Sequence, residues 1–130
     1  MAETPEDLIA ELQQKNIKHT PDEIIWIGRD AEGKVVWLET GDRDRGMTHI
    51  LLEHGEDFIQ RSIKKFQIIE LIELAISAGI VIGKQGRDRL IFEIEFQGMR
   101  QFVSISIGNN GYIVGANPTE RRLIRKFSQS

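Results

Sequence analysis

The chain contains three histidines, His19, His49 and His54, and the last two lie five residues apart in one short segment. On a helix this spacing places the two rings about 140° apart around the axis, so they are poorly placed to chelate tetrahedral zinc together. Imidazole titrates near neutral pH, which suits removal of a ribose 2′-hydroxyl proton and protonation of a leaving 5′-oxygen. His49 and His54 are therefore catalytic candidates. A structural role, with His54 capping a helix end and His49 exposed, fits the same spacing.

A second set of candidates lies on a predicted strand over residues 102–107, in which polar and apolar residues alternate. Alternation places Ser104 and Ser106 on one face and the three aliphatic residues on the core face. Arg89 opens the preceding strand and Arg100 lies near the start of this one, which brings guanidinium groups toward the two hydroxyls. Such donors suit the negative charge of a phosphorane intermediate. A half-solvated antiparallel sheet with no catalytic role predicts the same alternation.

The asparagines near the C-terminal end have two interpretations each. Asn109-Asn110-Gly111 is a strong tight-turn signal, and turn geometry explains these residues better than contact with an RNA base does. Asn117, which precedes a proline, fits either a turn or a functional position at the end of a strand.

The first half of the chain is predicted to contain helices and one hairpin. Thr4-Pro5-Glu6-Asp7 has the N-cap, the proline and the acidic residues of a helix start, and this helix should end near Asn16. Residues 24–27 and 35–38 are β-branched and aromatic runs around a glycine-containing turn, which predicts a β-hairpin.

Two further helices are predicted from apolar spacing. The first covers residues 47–58, with Gly55 marking its weakening end. The second runs from about residue 64 to residue 77 and places Phe66 on the same apolar face as Ile69, Ile72 and Ile76, so that face should be buried.

From Ile80 onward the apolar period changes to two, which predicts strands joined by tight turns. The fold class is α+β, with N-terminal helices and a hairpin packed on a C-terminal antiparallel β-meander of about four strands. One domain is expected over residues 1–130, because this length is common for a single hydrophobic core. Within it we expect an N-terminal helix over residues 1–17, a core over residues 18–118, and a basic tail over residues 119–130, helical or frayed. The predicted strands cover residues 80–82, 89–96, 99–107 and 112–116.

The charge is unevenly distributed along the chain, although the net charge is only −3. Residues 1–80 carry 9 Lys+Arg and 16 Asp+Glu, a net of −7, whereas residues 81–130 carry 8 and 4, a net of +4. The basic end is either a phosphate-binding surface or a solvated tail. There are no cysteines, which excludes disulfides and thiolate chemistry. No signal peptide and no membrane span are predicted, so we expect a cytoplasmic protein.

Three segments together are similar to a known group of toxins. They are residues 37–41, residues 46–58 with both histidines of the His-Ile-x-x-x-His pattern, and residues 108–118 with Gly-Asn-Asn-Gly-Tyr-Ile-Val. They resemble the C-terminal toxin domains of contact-dependent inhibition and related polymorphic toxin systems, in the group that shares the barnase, EndoU, colicin and RelE type of ribonuclease fold. The resemblance runs from about Lys18 to Pro118.

The resemblance implies RNA cleavage on the sheet without a metal or other cofactor, and a cognate immunity protein as a partner. It makes His49 the leading general acid or base and His54 its partner or orienting support. The order of the strands in such folds further suggests Arg89 and Ser104 or Ser106 as groups that stabilise the phosphate. The catalytic candidates are His49, His54, Arg89, Ser104 and Ser106, and the RNA-binding candidates are Arg87, Arg100, Asn110, Tyr112 and Asn117.

The sequence thus predicts an endoribonuclease that cleaves tRNA or another structured RNA by transesterification. The alternative is a non-catalytic module that binds a protein partner through the acidic N-terminal half. A metal-dependent DNA nuclease is not supported, because candidate metal ligands are sparse and scattered.

Overall fold

The computed structural model describes residues 2–128, beginning with a capped helix, α1, over Pro5–Gln14. The Thr4 hydroxyl accepts a hydrogen bond from the Asp7 amide, and the Asp7 carboxylate accepts one from the Thr4 amide, both at 3.1 Å. This reciprocal pair satisfies amides that the first helical turn leaves free. The helix ends before the predicted Asn16, because Asn16 adopts a left-handed φ of 55°.

The predicted hairpin is confirmed as strands β1 (Ile24–Arg29) and β2 (Val35–Glu39), which pair antiparallel. Gly33 has a φ of 87° in the turn between them, a conformation that glycine adopts without strain. The hairpin and α1 enclose a small apolar cluster of buried residues: Leu8, Leu12, Ile27, Val35 and Trp37.

Two helices follow, α2 (Gly46–Ile59) and α3 (Ile68–Ala78), with a short 3-10 turn over Lys65–Gln67 before the second. The prediction for Gly55 was wrong. This glycine is buried within α2, where an added Cβ would lie 3.0 Å from Cε of Lys65, so its small size allows close packing. Among the helices of residues 2–128, none has the length and apolar character needed to cross a membrane.

The prediction for Phe66 was also wrong, since its side chain is 78% exposed. Phe66 lies in the 3-10 turn, where three residues complete a turn, so it does not continue the face of α3. The other predicted face residues behave as expected: Ile72 and Ile76 are buried and Ile69 packs partly against the core.

The C-terminal half forms a four-stranded antiparallel sheet in the order β3-β4-β5-β6, which confirms the α+β class and the meander. One face of this sheet forms the main core with α2 and α3, through residues such as Phe92, Val103 and Ile105. The strand bounds are β3 (Ile80–Gln85), β4 (Arg89–Phe96), β5 (Met99–Ile107) and β6 (Ile113–Pro118).

The segment predicted as a basic tail forms a helix, α4 (Arg121–Ser128), that packs on the protein. Leu123 is buried, and the ring of Phe127 lies where a Cβ on Gly83 would be, 2.6 Å from its Cγ. A bare glycine on β3 therefore makes room for this aromatic ring. Residues 129 and 130 of the predicted tail lie outside the described part of the chain.

An ion-pair cluster links α1 to the hairpin. The Arg29 guanidinium binds Glu3 and Glu11, with Nη2 2.6 Å from Glu3 Oε2 and 2.7 Å from Glu11 Oε1. Hydrogen bonds from Arg29, and then from Lys15, lower the pKa of the Glu11 carboxyl from 4.5 to about 2. Because the folded-state pKa is depressed, this interaction favours folding above pH 4.5 and is lost as the pH falls toward 2.

We therefore expect Glu11→Gln to lower the free energy of unfolding at pH 7, and the difference from wild type to shrink steadily between pH 4.5 and pH 2. Urea titrations followed by circular dichroism at pH 7, 4 and 2.5 measure this. Glu53→Gln, an exposed change on α2, is the matched control. A difference that stays constant from pH 7 to pH 2.5 would contradict the interpretation.

Candidate functional site

The register of β5 against its neighbours places a row of polar residues on the sheet face opposite the main core. Ser106 lies opposite Arg89 of β4 and opposite Gly115 of β6, while Ser104 lies opposite Asn117. Directly opposed residues of antiparallel strands point to the same face of the sheet. The five positions therefore share one face, as the alternation predicted for the two serines.

Three of these residues form a hydrogen-bonded group that we call the Arg89 cluster: Arg89, Ser106 and Asn117. Nε of Arg89 donates to Ser106 Oγ at 3.0 Å, and Nη1 donates to Asn117 Oδ1 at 2.9 Å. The Asn117 amide nitrogen donates to the Pro118 carbonyl at 2.8 Å, which fixes the amide with its oxygen toward Arg89. The predicted approach of a guanidinium to a serine hydroxyl is thus observed for Arg89 and Ser106.

The half-buried Arg89 cation has no carboxylate partner. Within residues 2–128, no Asp or Glu oxygen lies within 4.0 Å of its guanidinium, and Nη2 makes no hydrogen bond there. A partly buried charge is usually compensated by an opposite charge or fully hydrogen-bonded. Arg89 therefore has free N–H donors and an uncompensated charge, which suit an anionic ligand such as a phosphate.

Beside the Arg89 cluster is a cleft of about 290 Å³ that we call the Asn117 cleft. His54 of α2 lies in it, with Nδ1 3.0 Å from Oδ2 of Asp57. The ionised carboxylate is an acceptor, so the neutral imidazole donates from Nδ1 and presents Nε2 as its basic nitrogen. Asp57 thereby orients the His54 ring. The lining residues are His54, Asp57, Gln60, Arg61, Asn117, Pro118 and Glu120.

Arg61 adds a second guanidinium to the Asn117 cleft, and sequence reasoning did not identify it. Its Nη2 donates to the Thr119 carbonyl at 2.8 Å, and no carboxylate within the described residues forms an ion pair with it. Burial lowers the pKa of Arg61, nearby Arg121 lowers it further, and Asp57 opposes them. Arginine remains protonated through such shifts, so the cleft keeps this charge.

His49 lies on the first turn of α2 and packs against β6. Its Nδ1 is 2.8 Å from the Arg43 carbonyl, which can only accept, so Nδ1 donates and Nε2 is the basic nitrogen. A Cβ on Gly115 would lie 3.4 Å from Cδ2 and 3.6 Å from Nε2 of the ring. Because Ser106 is opposite Gly115, the His49 ring lies within about 9 Å of the Ser106 side chain.

Ser104 and Arg100 do not belong to this group. Ser104 is completely buried and shares a 2.9 Å hydrogen bond with the Thr119 hydroxyl, so it cannot reach a ligand, and its catalytic assignment is withdrawn. Arg100 is six residues from Ser106 along β5, about 20 Å at strand spacing. Its guanidinium pairs with Glu93 at 2.9 Å and lies over the Phe102 ring.

Arg87 is brought next to the Arg89 cluster. It is exposed and lines a cleft of about 340 Å³ at the turn between β3 and β4, together with Arg89 and Ser106. Two arginines and a hydroxyl thus border the same cleft. Arg87 is therefore placed to contact the phosphate backbone of a nucleic acid that reaches Arg89.

Asn110 and Tyr112 lie in a separate cleft of about 350 Å³, which we call the His19 cleft. Asn110 Oδ1 accepts from the Tyr112 amide at 3.0 Å, so this asparagine does stabilise the turn. The Tyr112 ring packs edge-on against Trp37, with ring centres 5.8 Å apart. The cleft is lined by Lys18, His19, Thr20, Glu39, Arg45, Gly108, Asn110, Tyr112 and Val114.

Comparison with known proteins does not assign the chain to a family. No protein-family model matches the sequence, and no curated protein shows significant similarity to it. The toxin resemblance of the three segments stays a prediction. In residues 2–128, no group of three His, Asp or Glu side chains is positioned to hold a metal ion.

We expect Ser104 to contribute to stability, because its hydroxyl and that of Thr119 satisfy each other in a buried position. Ser104→Ala should lower the free energy of unfolding by about 1–3 kcal/mol, the usual cost of leaving a buried hydroxyl unpaired. Urea titrations of Ser104→Ala, Thr119→Val and the double variant form a double-mutant cycle. The double variant should lose less than the two single losses combined; additive losses would contradict the pairing.

Proposed function

We propose that this protein is a metal-independent endoribonuclease that cleaves tRNA or another structured RNA by transesterification. The observation that carries this proposal is the uncompensated Arg89 guanidinium, held by Ser106 and Asn117 beside the cleft that contains His54. A guanidinium with free donors beside an oriented imidazole supplies the charge stabilisation and the proton transfer that metal-independent phosphodiester cleavage uses.

In the proposed reaction the ribose 2′-oxygen attacks the adjacent phosphorus, and the bond from phosphorus to the 5′-oxygen breaks. One imidazole accepts the 2′-hydroxyl proton, and a second, protonated imidazole donates a proton to the departing 5′-oxygen. The products are a 2′,3′-cyclic phosphate and a 5′-hydroxyl. Water is not consumed and no metal takes part.

His49 and His54 are assigned to the two proton transfers. Each imidazole donates from Nδ1 to a protein acceptor, Arg43 O or Asp57 Oδ2, so each has Nε2 for the substrate. The two residues lie along β6, His49 against Gly115 and His54 in the cleft lined by Asn117. The proposal requires that a phosphate bound at Arg89 reach both imidazoles, which the histidine variants below test.

Arg89 and Arg61 are assigned to the negative charge that grows on the non-bridging oxygens. Both are half-buried and lack a carboxylate partner in the described structure, so their attraction to a phosphate is weakly screened by solvent. Arg87 then binds a neighbouring phosphate from the exposed side of the turn.

The resemblance of three segments to contact-dependent inhibition toxins supports a toxin-like role. We therefore also propose where the protein acts and what inhibits it. The protein acts on RNA in the cytoplasm of a target cell, and a cognate immunity protein blocks it.

The test is cleavage of total tRNA by purified protein in EDTA, with product ends analysed for cyclic phosphate. His49→Ala and His54→Ala should each reduce the rate by about 100-fold or more, as expected for loss of a general acid or base. Arg89→Gln should cause a loss of similar size. Arg100→Gln removes the same charge from an exposed residue paired with Glu93, so it should cleave at nearly the wild-type rate.

Cleavage that requires a divalent metal, or that survives both histidine substitutions, would contradict the proposal. Absence of cleavage by a folded wild-type protein on tRNA, ribosomal RNA and single-stranded RNA would favour the non-catalytic alternative. Circular dichroism and thermal unfolding of each variant show whether a loss of rate reflects unfolding.

A further inference from the structure

His19 has a buried acceptor with no partner. Its Nδ1 donates to the Ile17 carbonyl at 2.7 Å, which leaves Nε2 of the neutral ring as an acceptor. Nε2 is inaccessible to solvent and makes no hydrogen bond with any described residue. A buried polar atom without a partner is uncommon and costs free energy, so a ligand that reached Nε2 with an N–H group would relieve this cost.

A second acceptor lines the same cleft. Glu39 is only 5% exposed, and its Oε2 accepts from Nε1 of Trp37 at 2.8 Å and from the Thr20 amide at 2.9 Å. Oε1 accepts no hydrogen bond from residues 2–128. His19 and Glu39 both line the His19 cleft, so a ligand that brings N–H groups would meet the Glu39 oxygen and, once it displaces the atoms that cover Nε2, the imidazole nitrogen.

The rest of the cleft presents an aromatic wall and a basic rim. Tyr112 lines the same cleft, and burial, followed by the Glu39 charge, raises the pKa of its hydroxyl, so it stays protonated at neutral pH. Lys18 and Arg45 are exposed, and neither forms an ion pair within the described residues. A flat polar ring with an attached anion fits this combination.

The His19 cleft also adjoins the proposed catalytic residues. A Cβ on Gly46 would lie 3.2 Å from the Tyr112 hydroxyl, and Gly46 begins α2, whose first turn carries His49. An RNA chain whose scissile phosphate lies at His49 can therefore place a neighbouring nucleotide in the His19 cleft.

We infer that the His19 cleft binds one nucleotide whose base carries an exocyclic amino group, and that it does so through His19, Glu39 and the basic rim. The inference deepens the proposed ribonuclease function and rests on it for the identity of the ligand as a nucleotide. An amino group such as N4 of cytosine has two N–H donors for the two acceptors. Uracil presents a carbonyl at the same position, which the acceptors would repel.

The test compares CMP with UMP by NMR titration of the full chain. CMP should bind about tenfold more tightly than UMP, because the mismatched carbonyl leaves His19 and Glu39 unpaired. His19→Asn is the informative variant, since the Asn amide N–H can keep the bond to the Ile17 carbonyl while Nε2 is lost. It should weaken CMP binding about tenfold and leave UMP binding almost unchanged.

A second variant tests the site even if His19→Asn fails to fold. Arg45→Ala alters an exposed side chain, and it should weaken CMP binding while leaving the weaker binding of cytidine, which has no phosphate, unchanged. Equal affinity for CMP and UMP, no binding of CMP, or wild-type selectivity in His19→Asn would each overturn the inference.

The outcomes also separate this inference from the proposed function. A protein that binds CMP selectively but cleaves no RNA would contradict the proposed function and keep the site. A protein that cleaves RNA in EDTA but binds the two nucleotides equally would keep the function and overturn the site.

Discussion

Strand β5 faces β4 and β6 in a register that brings Ser106 beside Arg89 on one side and beside Gly115 on the other. Slipping this register by one residue would turn Ser106 into the main core and Ile105 out of it, so core packing itself fixes the polar face. The His49 ring lies against β6 at Gly115, where a Cβ would meet Cδ2 of the ring at 3.4 Å, an ordinary van der Waals distance. The hydrophobic core and the candidate site thus depend on one pairing.

Four arginines of this protein differ in the partners that hold them. Arg29 and Arg100 are paired with carboxylates and serve structure, linking α1 to the hairpin or neighbouring strands to each other. Arg89 and Arg61 are half-buried, are held by neutral oxygens and have no carboxylate partner within residues 2–128. A chain with a net charge of −3 can therefore still present positive charge without a carboxylate partner at one face.

The alternation of residues along β5 was enough to predict that Ser104 and Ser106 share a face, because strand geometry is local. It could not predict that Ser104 is buried against Thr119 just before α4, since burial depends on what packs over a face. The same reason applies to Arg61, whose partner Thr119 is 58 residues away. The bond from His54 to Asp57 could have been inferred from their spacing of three residues on a helix. The His19 and Glu39 pair had no local signal, because only the folded hairpin brings them together.

The proposed ribonuclease function depends on the Arg89 cluster being a phosphate site flanked by imidazoles. The most direct measurement is NMR of the arginine Nε–H and histidine ring nitrogens during titration with an RNA oligonucleotide that is methylated at every 2′-oxygen and so cannot be cleaved. If the Arg89 cluster is that site, signals of Arg89 and of the His49 and His54 Nε2 atoms should shift together, with one dissociation constant, while Arg100 stays unchanged. Shifts centred on Arg100 or on α4, with Arg89 unaffected at saturation, would contradict it.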